Sequence, residues 1–549
     1  MILLAILFAV FLLACGLGWH LAFRRFRDLS LESRFLVGTL PVLLFLVLAL
    51  LVRSVILMPG RDWNACRVAP SVALAYGYTL YYGANEGPIL NTLYGPMTAV
   101  AFLPAALGKD PTTAILIAGT INVAFMVVPL FLLLWRARAD GETGPMPAAL
   151  RLTVFVFAVG CLYQFIGTEY AINSIHADAP AMGFMLGACV LLIASPGAPG
   201  NGRLFAAAGL AALACYTKQI EVFALPGLFF YLGLAFSWRV AFVFTVFVIG
   251  WATLLAGLFA VVFDFKAMLF NIVELPKLHP WKGPRVAILI KSLLKLVTGA
   301  GFVMLLVLPF VAQFVAGLKT QPLRVALAAN RWVLLLFVAV TMLPGSLLGE
   351  VKVGGMENSM HSAYYLMACG ALLLARWAGA ATGAEQRLAV TACYALAVVL
   401  LGLRLTAITQ LLGAPRLYQN PQQEAYEFAK QHPGEALFPW NTLSTLLADK
   451  KLHHFEYGVY DRVLSGFRPQ DAHFRQHLPP NLKYLIFRHD RECFQMRQLL
   501  PEFSRVTQVD RLDQPLDKPR APKVVDPMKP PEENLPEGGG WLVYQRADR

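Results

Sequence analysis

The feature that most constrains this chain is a series of apolar runs, each about 20 residues long, separated by short segments that carry arginine. A run of that length matches the roughly 30 Å hydrocarbon core of a bilayer at about 1.5 Å rise per residue, and there only a helix satisfies its own backbone. Composition agrees: of 549 residues 57% are hydrophobic and 14% charged, and the mean hydropathy is +0.58, far from an ordinary soluble chain. The sequence therefore predicts an α-helical polytopic membrane protein. The formal net charge of +13 arises largely from cations between the apolar runs, where they orient a chain in a membrane. No nucleic-acid partner is expected.

The first run, "MILLAILFAVFLLACGLGWHLAF", has no basic segment ahead of it and is followed by Arg24, Arg25 and Arg27, so it reads as a retained span. By the positive-inside rule the loop "RRFRDLSLESR" lies in the cytoplasm, the next run returns, and Asp62 in "GRDWN" emerges on the outer face. Further spans are expected near 112–135, 150–168, 180–196, 204–217, 222–237, 240–262, 296–317, 332–349, 362–378 and 388–411, which makes about twelve transmembrane helices. Residues 94–107 are too short for a span and carry Pro96 and Pro104, so they read as interfacial or re-entrant. With that parity Arg136, Arg151, Arg203, Arg239, Arg331 and Arg376 all fall inside. One loop resists. Residues 263–295 fall outside yet carry Lys266, Lys277, Lys282, Arg285, Lys291 and Lys295, so either a span is misplaced or this loop binds an anion.

From residue 412 the chain turns polar and proline-rich, and 412–549 reads as a soluble extracytoplasmic α/β domain appended to a membrane module, 1–411. Its strand-like pieces are "ALFPWN", "KYLIFR" and "WLVYQR", and "QQEAYEFAKQH" is helix-like. Six of the eight cysteines, Cys15, Cys161, Cys189, Cys215, Cys369 and Cys393, lie in or beside apolar runs with no CxxC pattern and read as packing residues. Cys66 and Cys493 are both placed outside, where a disulfide is geometrically allowed but not favoured.

The polar residues worth chemistry gather on one side. The first outer loop, "GRDWNACRVAPSVALAYGYTLYYGANEGPILNTLYGPM", holds Asp62, Arg67, Glu86 and Tyr94; "GTEYAINSIHADAPA" holds His176 and Asp178; "YTKQIE" holds Lys218; and "EVKVGGMENSMHSAYY" holds Lys352, Asn358 and His361. Carboxylates, bases and aromatics on one face have the makings of an active site at a membrane surface.

In order and local character these segments resemble the GT-C glycosyltransferases, the membrane superfamily that includes protein mannosyltransferases, aminoarabinose transferases and oligosaccharyltransferases. The resemblance covers roughly residues 35–380 and rests on Asp62 just past a span, "YGYTLYYG", "TLYGP", "IHADAPA" and "CYTKQ". It implies inverting transfer of a sugar from a polyprenyl-phosphate-linked donor to a glycan, lipid or protein acceptor on the outer face; the general character of the sequence points to a bacterial inner membrane. Lipid phosphate is a good leaving group, so such an enzyme needs a base for the acceptor hydroxyl and cations for the departing phosphate. The resemblance would make Asp62 the base; Lys218, with Lys282, Arg285 and Lys352, the phosphate-binding set; and Glu86, Tyr94, His176, Asp178 and His361 contacts to acceptor or sugar. Many members carry paired acids where Asp62 is followed by Trp63 and Asn64, which puts divalent-metal use in question; no other cofactor is assigned.

Plainer roles stand beside these. Asp62 can pair with Arg61 or Arg67, Lys218 can snorkel to the interface, Tyr81 and Tyr82 can belong to an aromatic belt, and Lys291 and Lys295, four apart, suit an interfacial anchor. A transporter or flippase also has many spans, but places its ionisable groups near the midplane rather than at one set of span ends. A non-catalytic, glycan-binding membrane scaffold is the third alternative.

Overall fold

The apolar runs fold into helices. A computed structural model describes residues 2–136, 148–163, 166–194, 197–353, 355, 357–378, 395, 398–399, 401–405, 409–411, 417–488, 494–514, 516 and 540–546. Among them, five helices are long and apolar enough to cross a bilayer: Ala5–Arg25, Ser33–Ile56, Pro111–Arg136, Trp238–Val262 and Val333–Glu350. A sixth span is available if the pair Arg151–Leu162 and Gly167–Asn173, bent by 95°, counts as one. The chain is an integral membrane protein.

Twelve spans were expected, and three of the others form short helices. The helices Asp178–Ile193, Asn201–Thr217 and Ala224–Ala235 have 16, 17 and 12 residues, and at about 1.5 Å per residue each falls short of a 30 Å core. The helices Arg285–Gly317 and His361–Ala378 coincide with two more expected spans, while 388–411 lies largely outside the described residues. Residues 94–107 fold as Met97–Ala101 and a 3₁₀ turn, Leu103–Leu107, neither long enough to cross.

The main core joins the helices through Phe157, Met182, Leu186, Leu228, Leu335 and Leu366, all buried. Close approach depends on small residues: Ala207, Ala208 and Ala211 line the buried side of Asn201–Thr217, and a Cβ on Gly209 would come within 3.0 Å of the Trp251 ring. Cys15, Cys161, Cys189 and Cys369 are buried in this core as packing residues.

Beyond the bundle the chain forms four strands, β1 (Ala436–Leu437), β2 (Tyr484–Phe487), β3 (Arg505–Val509) and β4 (Trp541–Gln545). Their order is β1-β2-β4-β3; β1 runs parallel to β2, and β4 is antiparallel to both of its neighbours. The helix Pro421–Gln431 begins at Asn420, whose side chain accepts from the amides of Gln422 and Gln423, satisfying two of the open donors at the helix start.

This segment packs directly on the loop that follows the second span. The Phe455 amide donates to the Ile89 carbonyl at 2.8 Å, and the Ile89 amide donates to His454 Nδ1 at 2.8 Å. Arg462 donates to the Ala84 carbonyl at 2.7 Å, and the Cys66 thiol to that of Trp440 at 2.8 Å. A Cβ on Gly458 would fall 2.5 Å from the Leu90 carbonyl oxygen, so this contact requires glycine. Val68, Val72, Leu443, Leu446 and Phe455 share one apolar cluster, so the packing crosses residue 412.

The topology expected from the sequence makes a direct prediction. In a background cleared of native cysteines, cysteines at exposed Asn85 and Tyr418 will react with a membrane-impermeant maleimide from one side, and one at exposed Arg27 only from the other. Labelling of Arg27 and Asn85 positions from the same side would refute the arrangement.

Candidate active site

Tyr94 is held by backbone geometry. An ideal Cβ at Gly95 would lie 2.0 Å from the Tyr216 carbonyl oxygen, so only glycine lets the "TLYGP" turn reach the end of Asn201–Thr217. Tyr81 donates to the Tyr94 carbonyl at 2.8 Å, and Thr98 donates to that of Thr217 at 2.9 Å. The Tyr94 hydroxyl then meets His176 Nε2 at 3.2 Å, with the two rings edge to face.

Behind Tyr94 stands a buried polar cluster centred on Asp178. This carboxylate opens the helix Asp178–Ile193 and accepts from Lys218 Nζ, from His361 Nδ1 at 2.8 Å and from His176 Nδ1 at 3.0 Å. Lys218, extended in backbone just past its helix, also donates to the Asn358 carbonyl at 2.6 Å. Asn358 closes the group from the other side, its amide 3.3 Å from the Tyr94 hydroxyl. Burial pushes His176 down to about 4, with Asp178 pulling against it and Arg67 adding to the fall. His176 is thus neutral at pH 7, and a proton on Nδ1 leaves Nε2 to accept from Tyr94. Burial also acts to lower Lys218, but the adjoining Asp178 outweighs it and holds the amine above its ordinary value.

The cluster forms part of the wall of a cavity of about 1150 Å³ at the ends of the helices. Arg67 lines the same cavity, its guanidinium 5.6 Å from the ring centres of both Trp63 and Tyr94. Among the described residues no carboxylate forms a salt bridge with it. Across the cavity, Lys291 and Lys295 project from the Arg285–Gly317 helix into its lining. A third wall comes from the C-terminal segment and includes Trp440, Tyr457, Tyr460 and Asp461.

The structure sorts the residues named from sequence. Tyr94, His176, Asp178, Lys218 and His361 come together. Lys282 and Lys352 line the cavity, but their ammonium groups are latched to carbonyls: Lys282 to Glu350 and Gly355 at 2.7 and 2.6 Å, Lys352 to Pro276 and Lys277 at 2.8 and 2.7 Å. Two bonds leave each ammonium a third donor and its charge. Arg285 lies over the Trp281 ring at 5.6 Å and is not among the cavity-lining residues. Glu86 is exposed in a turn close to His473, also away from the cavity lining. Asp62 begins the helix Asp62–Ala75, and its side chain lies outside the described residues. Among the described residues no group of three or more His, Cys, Asp or Glu side chains is arranged to hold a metal ion. Asp178, the obvious carboxylate, already has both oxygens engaged by Lys218, His176 and His361.

Three features go beyond the roles expected from sequence. Arg67 is expected among the polar residues of the first loop, with an ion pair to Asp62 as its plainer role, but not in the phosphate-binding set. Lys291 and Lys295 are expected either as anchors or as part of an anion-binding basic loop, and both line the cavity. The contribution of Trp440, Tyr457 and Asp461 had no signal in the sequence, because they lie more than 340 residues beyond Tyr94 (440 against 94).

A helical membrane bundle with a cavity cationic on two walls and aromatic on a third is the class that fold and site define. No family model matches the chain, and a search of curated proteins finds no match. Among solved structures it is similar to ArnT from Cupriavidus metallidurans bound to undecaprenyl phosphate, at 14% identity over 86% of this chain and 96% of that one, with a TM-score of 0.48. It is also similar to the archaeal oligosaccharyltransferase AglB from Archaeoglobus fulgidus in complex with an inhibitory peptide and a dolichol-phosphate, at 11% identity over 81% and 69%, with a TM-score of 0.41.

Proposed function

We propose that the protein is a membrane glycosyltransferase of GT-C type that moves a sugar from a polyprenyl-phosphate-linked donor to a glycan, lipid or protein acceptor on the extracytoplasmic face of a bacterial inner membrane. The observation that carries this reading is Arg67. It is a cation without an acid partner among the described residues, facing a cavity that Lys291 and Lys295 also line. Cations held in a partly enclosed site at the ends of membrane helices suit an anion whose tail lies in lipid.

In this reading Arg67, Lys291, Lys295, Lys282 and Lys352 balance the phosphate charge, which grows as the bond to the sugar breaks. Asp62 takes the acceptor's proton, and attack from the face opposite the departing phosphate inverts the anomeric centre. The buried cluster of Asp178, Lys218, His176 and His361 holds Tyr94 and Asn358 in place at the cavity wall.

Purified protein offered a panel of polyprenyl-phosphate sugars, scored for released lipid phosphate, tests the reading. Turnover with at least one donor is expected; a folded protein that releases lipid phosphate from none of them ends it. Arg67→Ala should lower kcat/KM on the order of 10²-fold, the scale for loss of one preorganised charge-stabilising donor. Arg67→Lys should recover part of that loss, since it restores charge without the planar fork. Equal activity in wild type and Arg67→Ala would take Arg67 out of the site.

A further inference from the structure

Asp461 is the least satisfied acid of the cavity wall among the described residues. It belongs to the helix Glu456–Leu464, is 1% exposed, and neither carboxyl oxygen has a hydrogen-bond partner among the described residues. The nearest basic side chain, His279, approaches only to 3.9 Å, and its Nδ1 faces the Val353 carbonyl. A buried, unpaired acid is costly, and its presence in a cavity wall calls for a partner the protein alone does not supply.

The surroundings narrow the chemistry of that partner. On the same helix, Tyr457, one turn before Asp461, and Tyr460, immediately before it, stack with ring centres 5.7 Å apart. Trp440 lies 6.1 Å from Tyr457, and Trp63 meets both Trp440 and Tyr457 edge to face at 4.9 Å. All five residues line the cavity. Burial drives the Asp461 carboxyl well above the ordinary carboxylate range, against the pull of Arg67. A neutral carboxyl both donates and accepts, as a sugar hydroxyl does, while an ammonium ligand would require the ionised form. Aromatic faces beside it suit the C–H face of a pyranose.

We propose that Asp461, with Tyr457, Tyr460 and Trp440, forms a saccharide subsite in which the carboxyl group exchanges hydrogen bonds with ring hydroxyls while the aromatic rings pack on the sugar. The subsite deepens the glycosyltransferase reading and rests on it for its place in the reaction. The sugar is either that of the lipid-linked donor or that of a glycan acceptor; the chemistry of recognition is the same.

The test uses the full-length protein in nanodiscs, with Asp461→Leu and Asp461→Asn beside the wild type. Three probes are titrated: methyl glycosides of common hexoses, pentoses and N-acetylhexosamines; undecaprenyl phosphate; and undecaprenyl-phosphate sugars. Asp461→Leu should weaken saccharide binding on the order of tenfold or more and leave undecaprenyl phosphate binding unchanged. Its melting temperature should equal or exceed that of the wild type, because an unpaired acid has been removed; a structural acid would predict a fall. A loss confined to the sugar lipids assigns the subsite to the donor, and a loss confined to the glycosides assigns it to the acceptor. Asp461→Asn keeps the shape and carries the test if leucine is not tolerated, with a loss of at least about threefold expected. Unchanged binding of both glycosides and sugar lipids, or a loss for undecaprenyl phosphate as large as that for the saccharides, overturns the proposal. So does a wild type that binds neither kind of sugar. Failure of the wild type to bind undecaprenyl phosphate would instead count against the glycosyltransferase reading, and the glycoside titration would still decide on Asp461.

Discussion

Asp178→Ala should destabilise the protein by about 3–5 kcal/mol, the cost of leaving a buried charge without its counter-ion. The substitution strands the ammonium of Lys218, which is 5% exposed, and removes the acceptor of both His176 and His361. Thermal unfolding in a fixed detergent would show the loss as a lower Tm. The double variant Asp178→Ala, Lys218→Met should regain much of it, because the uncompensated charge is gone as well. If the two single losses simply add in the double variant, Asp178 and Lys218 are not energetically coupled, and their close contact is incidental.

Asp62→Asn should lower the transfer rate on the order of 10²–10⁴-fold with folding intact, because the amide keeps the shape of the side chain but cannot take up a proton. Donor binding should survive. A structural ion pair with Arg61 or Arg67 predicts another pattern: a lower Tm, little change in rate per folded molecule, and partial rescue when the arginine is neutralised. Arg61 already donates to the Ser174 hydroxyl at 3.0 Å, and Arg67 lies over two aromatic rings. Near-normal turnover in folded Asp62→Asn would remove Asp62 as the base.

The buried polar cluster was legible where chemistry and membrane position coincide. Asp178, His176, Lys218 and His361 are polar residues at the borders of apolar runs, where an ionisable side chain needs a partner, and they found one another. What periodicity cannot convey is which of several cations is already occupied. Lys282 and Lys352 look like Lys291 in the sequence, yet they staple the carbonyls of facing segments. Glu86 and Arg285 lie away from the cavity lining for a related reason, since a loop's composition says nothing of the direction in which it turns. In the C-terminal segment, β1, β2 and β4 coincide with "ALFPWN", "KYLIFR" and "WLVYQR", but β3, "RVTQV", alternates polar and apolar too weakly to stand out. Five or six of the twelve expected spans are long and apolar enough to cross among the described helices, and hydropathy alone does not separate a short buried helix from a crossing one.

The contact between the first loop and the C-terminal segment has a consequence for biogenesis. Protein synthesis runs from the N-terminus, so Arg67 and Lys218 are in place long before Trp440, Tyr457 and Asp461 have been made. Until then Ile89 lacks both of its backbone partners, Phe455 and His454, and the apolar surface of Val68 and Val72 lacks Leu443, Leu446 and Phe455. A nascent or prematurely terminated chain therefore shows a greasy, unpaired edge outside the bilayer, the kind of surface that chaperones and proteases bind. The last wall therefore closes late in synthesis, because the segment that hides that edge is made after the membrane helices.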